Sequence, residues 1–382
     1  SRVTRISNQE TKRREIFHLA KGDFSLFDFK KIGMRKIIKQ VLGIDVAQKE
    51  LVVSIGRMYD DWTPELYGCK TFANTAKGFE AMVLWVKKQT EDVIPVRYVM
   101  EATGVYHETL AYFLEAKDYE VSIVLPNKIS NYLRTLNVKT ITDKTASEAI
   151  ALFGLERKLD CWKRPKEVFN KIKQLTRERD QIVGERTMVK NQLHAEETQA
   201  YPNKKSVLRI KARIELLNKQ DAAIKKEIDA LIKKESEVRK MTDLICSIPG
   251  IGLLTAATVL AETNGFELIR NKRQLTSYAG LDVREKQSGT SVRGKATISK
   301  KGNRYLRKAM HLPALTAIRH DDRFKAIFVR LVSKHGVKMK AAVAVQRKLL
   351  ELIYTLFKTN TTYKKDYRKE EIIENEEQQK AA

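Results

Sequence analysis

Between Val41 and Gly56 the chain reads VLGIDVAQKELVVSIG. Two apolar runs, Val41 to Ile44 and Leu51 to Ile55, flank a short polar break, which is the pattern of two strands joined by a tight turn. Asp45 falls within the first strand. An ionised carboxylate inside a buried strand costs several kcal/mol unless a cation or hydrogen-bond donors compensate it. The strand pair therefore demands a fold that brings a partner to Asp45. A metal ion is the partner expected, and the remaining chain is read for carboxylates to share it.

The 382 residues suffice for two or three domains. Lys and Arg number 73 against 47 Asp and Glu, a net charge of +26. Such an excess points to a polyanion, most simply nucleic acid, because cationic side chains neutralise phosphates and release their counterions. Cys69, Cys161 and Cys246 are far apart and form no CxxC pair, and the histidines are scattered, so neither a disulfide framework nor a zinc site is indicated. No apolar run approaches the ~20 residues of a membrane span and no signal peptide is visible. The expected setting is a reducing cytoplasm, with no membrane partner.

Residues 1–33 read as a basic leader or flexible arm ahead of the opening MRKIIKQVLGIDV. Residues 34–162 have α/β texture. After the first two strands come a short candidate strand near Lys70 to Ala73 and a helix carrying Phe79, Met82, Val83 and Val86 at helical spacing. VRYVMEATGVYHETLAYFLEAKDYEVSIVLP then gives a strand ending at Glu101, a helix begun near Gly104, and a strand from Val121 to Leu125 closed by Pro126. Strand, helix, strand implies parallel neighbours with a right-handed crossover. With three strands able to meander before it, the unit fits an RNase H-like sheet. Residues 163–243 carry two series of apolar residues around Pro202, one from Val168 to Leu193 and one from Ile210 to Val238, read as an antiparallel coiled-coil hairpin.

Residues 244–362 read as a mostly α-helical domain. It opens with LICSIPGIGLLTAATVLAE, a helix-hairpin-helix pattern whose Gly250 and Gly252 turn would expose backbone amides to a phosphate. A polar Gly and Ser loop follows, running into Arg293, Lys295, Lys300, Lys301, Arg304, Arg307 and Lys308, candidates for backbone phosphate contacts. Residues 363–382 form an acidic tail.

Asp45 in the first strand, Glu101 at the end of a later strand and Asp143 at the start of TDKTASEAIALFGL form the candidate metal set. Each also has an ordinary reading: Glu101 facing water, Asp143 as a helix cap. Together, at element ends of one sheet, they suit two Mg²⁺ (or Mn²⁺) ions about 4 Å apart, bridged so as to activate one oxygen at phosphorus and stabilise another.

GIDVAQKELVVSIG, MEATGVYHETLAYFL, TDKTASEAIALFG, the IPGIG hairpin and YAGLDVREKQSGTSVRGKATISKKGNRYLRKA together resemble the DEDD transposases of insertion sequences related to the Piv and MooV DNA invertases, the bridge-RNA-guided recombinases. The likeness spans about Met34 to Leu356. It implies a RuvC-like N-terminal domain, a coiled-coil connector and a C-terminal transposase domain supplying a nucleophilic serine. The DEDD acids then fall on Asp45, Glu101 and Asp143, and the serine on Ser288, with Ser291 and Ser299 as neighbouring competitors. Implied partners are donor and target double-stranded DNA, a structured noncoding RNA and further copies of the chain, in a homodimer or homotetramer, and the implied place is the bacterial nucleoid. Implied chemistry is metal-dependent strand cleavage and exchange through a covalent serine-DNA intermediate.

The chain departs from the family pattern at the fourth acid. DxxD would place Asp at 146, where this sequence has Ala146. Glu148, five residues beyond Asp143, lies about 140° round the helix and is a strained substitute. The alternatives are an impaired or three-acid site, a RuvC-like structure-selective endonuclease using water, or a nucleic-acid scaffold with a decayed site.

Overall fold

The computed structural model describes residues 35–365, apart from residues 103, 137, 139, 268, 286, 289–291 and 294–296 and the side chains of residues 287, 288, 292 and 293. The chain divides into two compact units at Arg164 and Pro165.

The first unit is a five-stranded sheet. Strands β1 (Ile37–Val46), β2 (Glu50–Tyr59) and β3 (Pro64–Ala73) meander antiparallel, and β4 (Val96–Glu101) and β5 (Glu120–Val124) add parallel to β1, in the order β3-β2-β1-β4-β5. This is the RNase H-like arrangement expected from the sequence. Helices α1 (Ala76–Gln89) and α2 (Glu108–Glu115) bury Phe79, Met82, Leu110 and Leu114 against Leu42, Ile44, Val53 and Met100 on one face. Helices α3 (Pro126–Leu133) and α4 (Asp143–Glu156) cover the other, packing Ile129, Ile150 and Leu155 on Val41, Val99 and Val124. With helices on both faces, the central strands need apolar side chains in both directions, which is why β1 reads as a run and not an alternation.

Three local expectations change. The short strand expected near Lys70 is ten residues long; at the sheet edge most of β3 is exposed, so it carries no apolar run. The helix expected from Gly104 starts at Glu108, because Gly104 turns the chain with φ +57°. Pro126 ends β5 but also opens α3 as its first residue, where its missing amide is no loss.

Helix α4 is held on the sheet at several points. A Cβ on Gly43 would lie 2.7 Å from Ala151 Cα, and closer still to the Ser147 carbonyl and the Ala151 amide. Gly154 approaches Val41 and Val99 in the same way. Ser54 and Ser147 share a buried hydrogen bond of 2.7 Å. At the far end, Lys39 Nζ donates to the carbonyls of Gly154 (2.5 Å), Leu155 (3.0 Å) and Arg157 (2.9 Å), a cation on the negative end of the helix.

The second unit is mostly helical. Helices α5 (Glu167–Glu197) and α6 (Lys204–Lys234) are 31 residues each and pack together as a hairpin. Buried Asp221 of α6 pins their register by pairing with Arg179 (2.8 Å) and Arg186 (3.2 Å) of α5, and it also pairs with Lys225 one turn along its own helix (2.9 Å). Burial pushes its carboxyl up, but these cations outweigh that and hold it below the usual range. Then come α7 (Ser236–Cys246), α8 (Leu253–Glu262), α9 (Lys272–Tyr278), a β-ribbon, α10 (Arg304–Ala309), α11 (His311–His320), α12 (Asp322–His335) and α13 (Lys338–Thr359). Val168, Phe169 and Ile172 at the base of the hairpin share one core with Leu260, Phe266, Leu349 and Tyr354.

Candidate nuclease site and nucleic-acid interface

Strand register brings the first two carboxylates together. Ile44 pairs with Met100 across β1 and β4, so the next residues, Asp45 and Glu101, fall at neighbouring positions at the carboxyl ends of both strands. They alternate with Ile44 and Met100, which pack toward α1 and α2, and so belong to the α4 face. Helix α4 runs back along β1: Gly154 meets Val41, and Ala151 and Ser147 meet Gly43. One turn before Ser147, about 6 Å along the helix, corresponds to two residues along the strand, about 6.6 Å. Asp143 therefore arrives over Asp45.

Electrostatics agree with this placement. The Asp45 carboxyl is pushed from 3.8 up to about 6, first by burial, then by the charges of Asp143 and Glu101, against a hydrogen bond from the Val46 amide. Asp143 does not act as the cap. Thr142 is the N-cap: its Oγ1 accepts from the Thr145 amide at 3.2 Å, while Thr145 Oγ1 accepts from the Thr142 amide at 2.8 Å. Among the described residues, no three His, Cys, Asp or Glu side chains stand as a formed metal-binding group. The convergence is thus one of charge at the carboxyl ends of two interior strands, not of a closed ligand cage. Its chemistry nevertheless fits a hard divalent cation: all-oxygen donors, one of them ionised only at a cost that a cation would remove. Ala146 is half-buried in the first turn of α4. The Glu148 carboxylate lies 3.9 Å from Lys144 Nζ, and the charges acting on Asp45 are those of Asp143 and Glu101.

In the second unit, Ser288 lies on a two-tiered ribbon. Strand β6 (Val283–Arg284) pairs with β9 (Thr297–Ile298), and further out β7 (Gln287–Ser288) pairs with β8 (Val292–Arg293), Ser288 opposite Val292. Lys295 and Ser291 lie outside the described residues. Ser299 is spent at the foot of the ribbon, its Oγ donating to Asp282 Oδ1 at 2.5 Å. Asn303 N donates to the Tyr278 carbonyl at 2.6 Å and Lys300 N to the Gly280 carbonyl at 3.1 Å.

Sequence reasoning missed what anchors that foot. Buried Glu262 accepts two bonds from Arg177 (2.8 and 2.9 Å) and one from Asn303 Nδ2 (2.6 Å), and its carbonyl accepts from the Tyr278 hydroxyl (3.0 Å). The segment after the ribbon is tied to this carboxylate through Asn303, and the helix before it to the main-chain carbonyl of the same residue through Tyr278. A lone Glu closing an apolar helix, LLTAATVLAE, was the available signal.

The predicted phosphate contacts divide. Lys300, Lys301 and Arg304 are exposed. Arg307 Nη1 instead donates to the Ala279 carbonyl at 2.7 Å, and Lys308 pairs with Asp180. A cleft of about 710 Å³ lined by Arg179, Arg304, Tyr305, Lys308, His311 and Gln346 lies beside them. In the IPGIG turn, Gly250 has φ +90° and packs on α11, where a Cβ would lie 2.9 Å from Thr316 Cβ; Gly252 begins α8 and faces open space.

Two family models match. One, for DEDD-type transposases of IS110 elements, covers residues 42–202; the other, described as transposase IS116/IS110/IS902 family, covers residues 242–328. The chain belongs to this transposase family. The pilin gene-inverting protein of Moraxella bovis is 27% identical over 86% of the chain and 98% of its own length. The transposase for insertion sequence element IS1111A of Coxiella burnetii is 30% identical over 39% of the chain and 41% of its own length. Among solved structures, Thermus thermophilus RuvC with a Holliday junction substrate aligns at 11% identity over 32% of the chain and 99% of its own, with a TM-score of 0.25. Among the described residues, no helix is long and apolar enough to cross a membrane.

Proposed function

We propose that this transposase cuts and exchanges DNA strands with Asp45, Glu101 and Asp143 holding Mg²⁺ or Mn²⁺ and Ser288 as nucleophile. The observation that carries the reading is the Asp45 carboxyl, half-buried and loaded with the charge of Asp143 and Glu101. A divalent cation held there supplies positive charge to a phosphodiester oxygen and lowers the pKa of an attacking hydroxyl. The Ser288 Oγ forms a bond to phosphorus, and the bond from phosphorus to one deoxyribose oxygen breaks. The serine proton leaves and the freed sugar oxygen ends as a hydroxyl; the reverse attack rejoins a new strand. Lys300, Lys301 and Arg304 neutralise phosphates beside the ribbon, Arg293 and Lys295 extend that contact, and the Gly252 end of the helix-hairpin-helix offers its amides to another.

The domain plan proposed is a RuvC-like domain at 34–162, a coiled-coil connector at 163–243 and a transposase domain at 244–362. Target choice by a structured noncoding RNA and assembly as a homodimer or homotetramer at the bacterial nucleoid belong to the same proposal. The test is a denaturing-gel search for a protein-DNA adduct formed with Mn²⁺, cognate DNA and copurified RNA. An adduct lost in Ser288→Ala supports the reading. Cleavage without any adduct moves the chain to a water-using nuclease. If both are absent and Ala146→Asp restores neither, the scaffold reading replaces it. One enriched RNA species among copurified nucleic acid supports guidance, and random fragments count against it.

A further inference from the structure

From Arg323 to Lys348 the chain has eight Lys or Arg and no Asp or Glu. Arg323 is matched by Asp321, and Arg347 and Lys348 by Glu351. Among the described residues, Lys325, Arg330, Lys334, Lys338 and Lys340 have no carboxylate partner, and all five are exposed. Arg330 and Lys334 lie about 40° apart on α12, Lys325 stands at the opposite margin of its solvent side, and the run continues into the turn to α13, where every residue from Ser333 to Lys340 is exposed. Slight desolvation, with the charges of Lys340 and Lys334, holds the His335 imidazole below its usual range.

The outward face is cationic because the apolar face of α12 is already used. Phe324 is buried, and Ile327 and Phe328 pack on the core of the second unit. Val329, Val337 and Met339 are the large apolar residues exposed among these cations. That is too little apolar surface to enter a lipid interface, which takes a whole face of large residues. From Arg330 to Lys334, one turn apart on the same side, the helix rises about 6 Å, close to two base steps of a DNA strand at about 3.4 Å each.

We propose that α12 and the turn to α13 form a DNA-duplex docking face, distinct from the ribbon cations, which binds backbone phosphates without reading sequence. The proposal does not depend on the carboxylates or on Ser288. Most of the face lies beyond residue 328, where the family-model match ends.

The test is fluorescence anisotropy of full-length protein with a 30-bp duplex of arbitrary sequence, from about 50 to 300 mM KCl. One variant carries Ala at Lys325, Arg330, Lys334, Lys338 and Lys340. A charge-matched control carries Ala at the exposed hairpin positions Lys190, Lys204, Lys205, Lys219 and Lys226. Each phosphate contact contributes about 0.9 to the slope of log K against log salt. The face variant is expected to lose about 2 or more from that slope and at least about tenfold in affinity at 0.15 M KCl, with unchanged circular dichroism and melting. A smaller loss, or an equal loss in the control, overturns the proposal. So does a loss seen only with a structured RNA of equal length or with phosphatidylserine vesicles while duplex binding stays intact.

Discussion

Replacing Asp45 by Asn should stabilise the first unit while removing its activity. The carboxyl is raised from 3.8 to about 6. At 1.36 kcal/mol per pKa unit this is about 3 kcal/mol, and because Asp45 is only half-buried, screening by water leaves about 1–2 kcal/mol. The sign follows from linkage. A carboxyl whose folded pKa exceeds its unfolded pKa penalises the folded state when ionised. The penalty is absent below about 3.8, grows between about 4 and 6, and is complete above 6. Wild-type protein should therefore gain stability relative to Asp45→Asn as pH falls through that window, and Asp45→Asn should lead by about 1–2 kcal/mol at pH 8. Trp62, Trp85 and Trp162 are the three tryptophans of the chain and all lie in the first unit, so urea unfolding followed by tryptophan fluorescence reports on that unit. Manganese should raise the wild-type midpoint by mass action and leave Asp45→Asn unmoved. A variant no more stable than wild type at pH 8, or a lead that persists at pH 4, would refute the argument that Asp45 is ionised against its neighbours.

Gly43→Ala drives a methyl into the backbone of α4 at Ser147 and Ala151; it should cost about 3 kcal/mol or more by the same urea assay and reduce cleavage by displacing Asp143. Ser147→Ala leaves the buried Ser54 hydroxyl without its partner, and Ser54→Ala removes one of the two bonds of Ser147 Oγ, which keeps its 2.7 Å bond to the Lys144 carbonyl. Each should cost about 1–2 kcal/mol, and the double variant should cost less than their sum, a coupling that a double-mutant cycle measures. Glu262→Ala strands Arg177 and releases Asn303; about 3–5 kcal/mol of stability should be lost from the second unit, seen by circular dichroism, with adduct formation falling further than duplex affinity. Ala146→Asp adds a carboxylate one turn from Asp143 and should tighten manganese binding measured by calorimetry; unchanged affinity would place that side chain outside the site.

Much of the first unit was legible in the sequence because its signals are local. Runs such as VLGI and LVVSI report strands buried on both faces, and TDKTASEAIALFGL carries its cap and its helical spacing within a few residues. Asp45 declared itself as an acid inside such a run. Edge strand β3 gave little signal, since half-exposed strands need no apolar pattern. The family followed from motifs of residue identity, which chemistry holds fixed. Only the tertiary structure decided that Asp45 and Glu101 share the α4 face and that Asp143 is free of capping duty. It also showed that Glu262 anchors the ribbon, and that Arg307 and Lys308 serve the fold while Lys325 to Lys340 face water. A sequence records which side chains exist and how often they recur, whereas a charge acquires its role from the groups that distant segments place within a few ångströms of it.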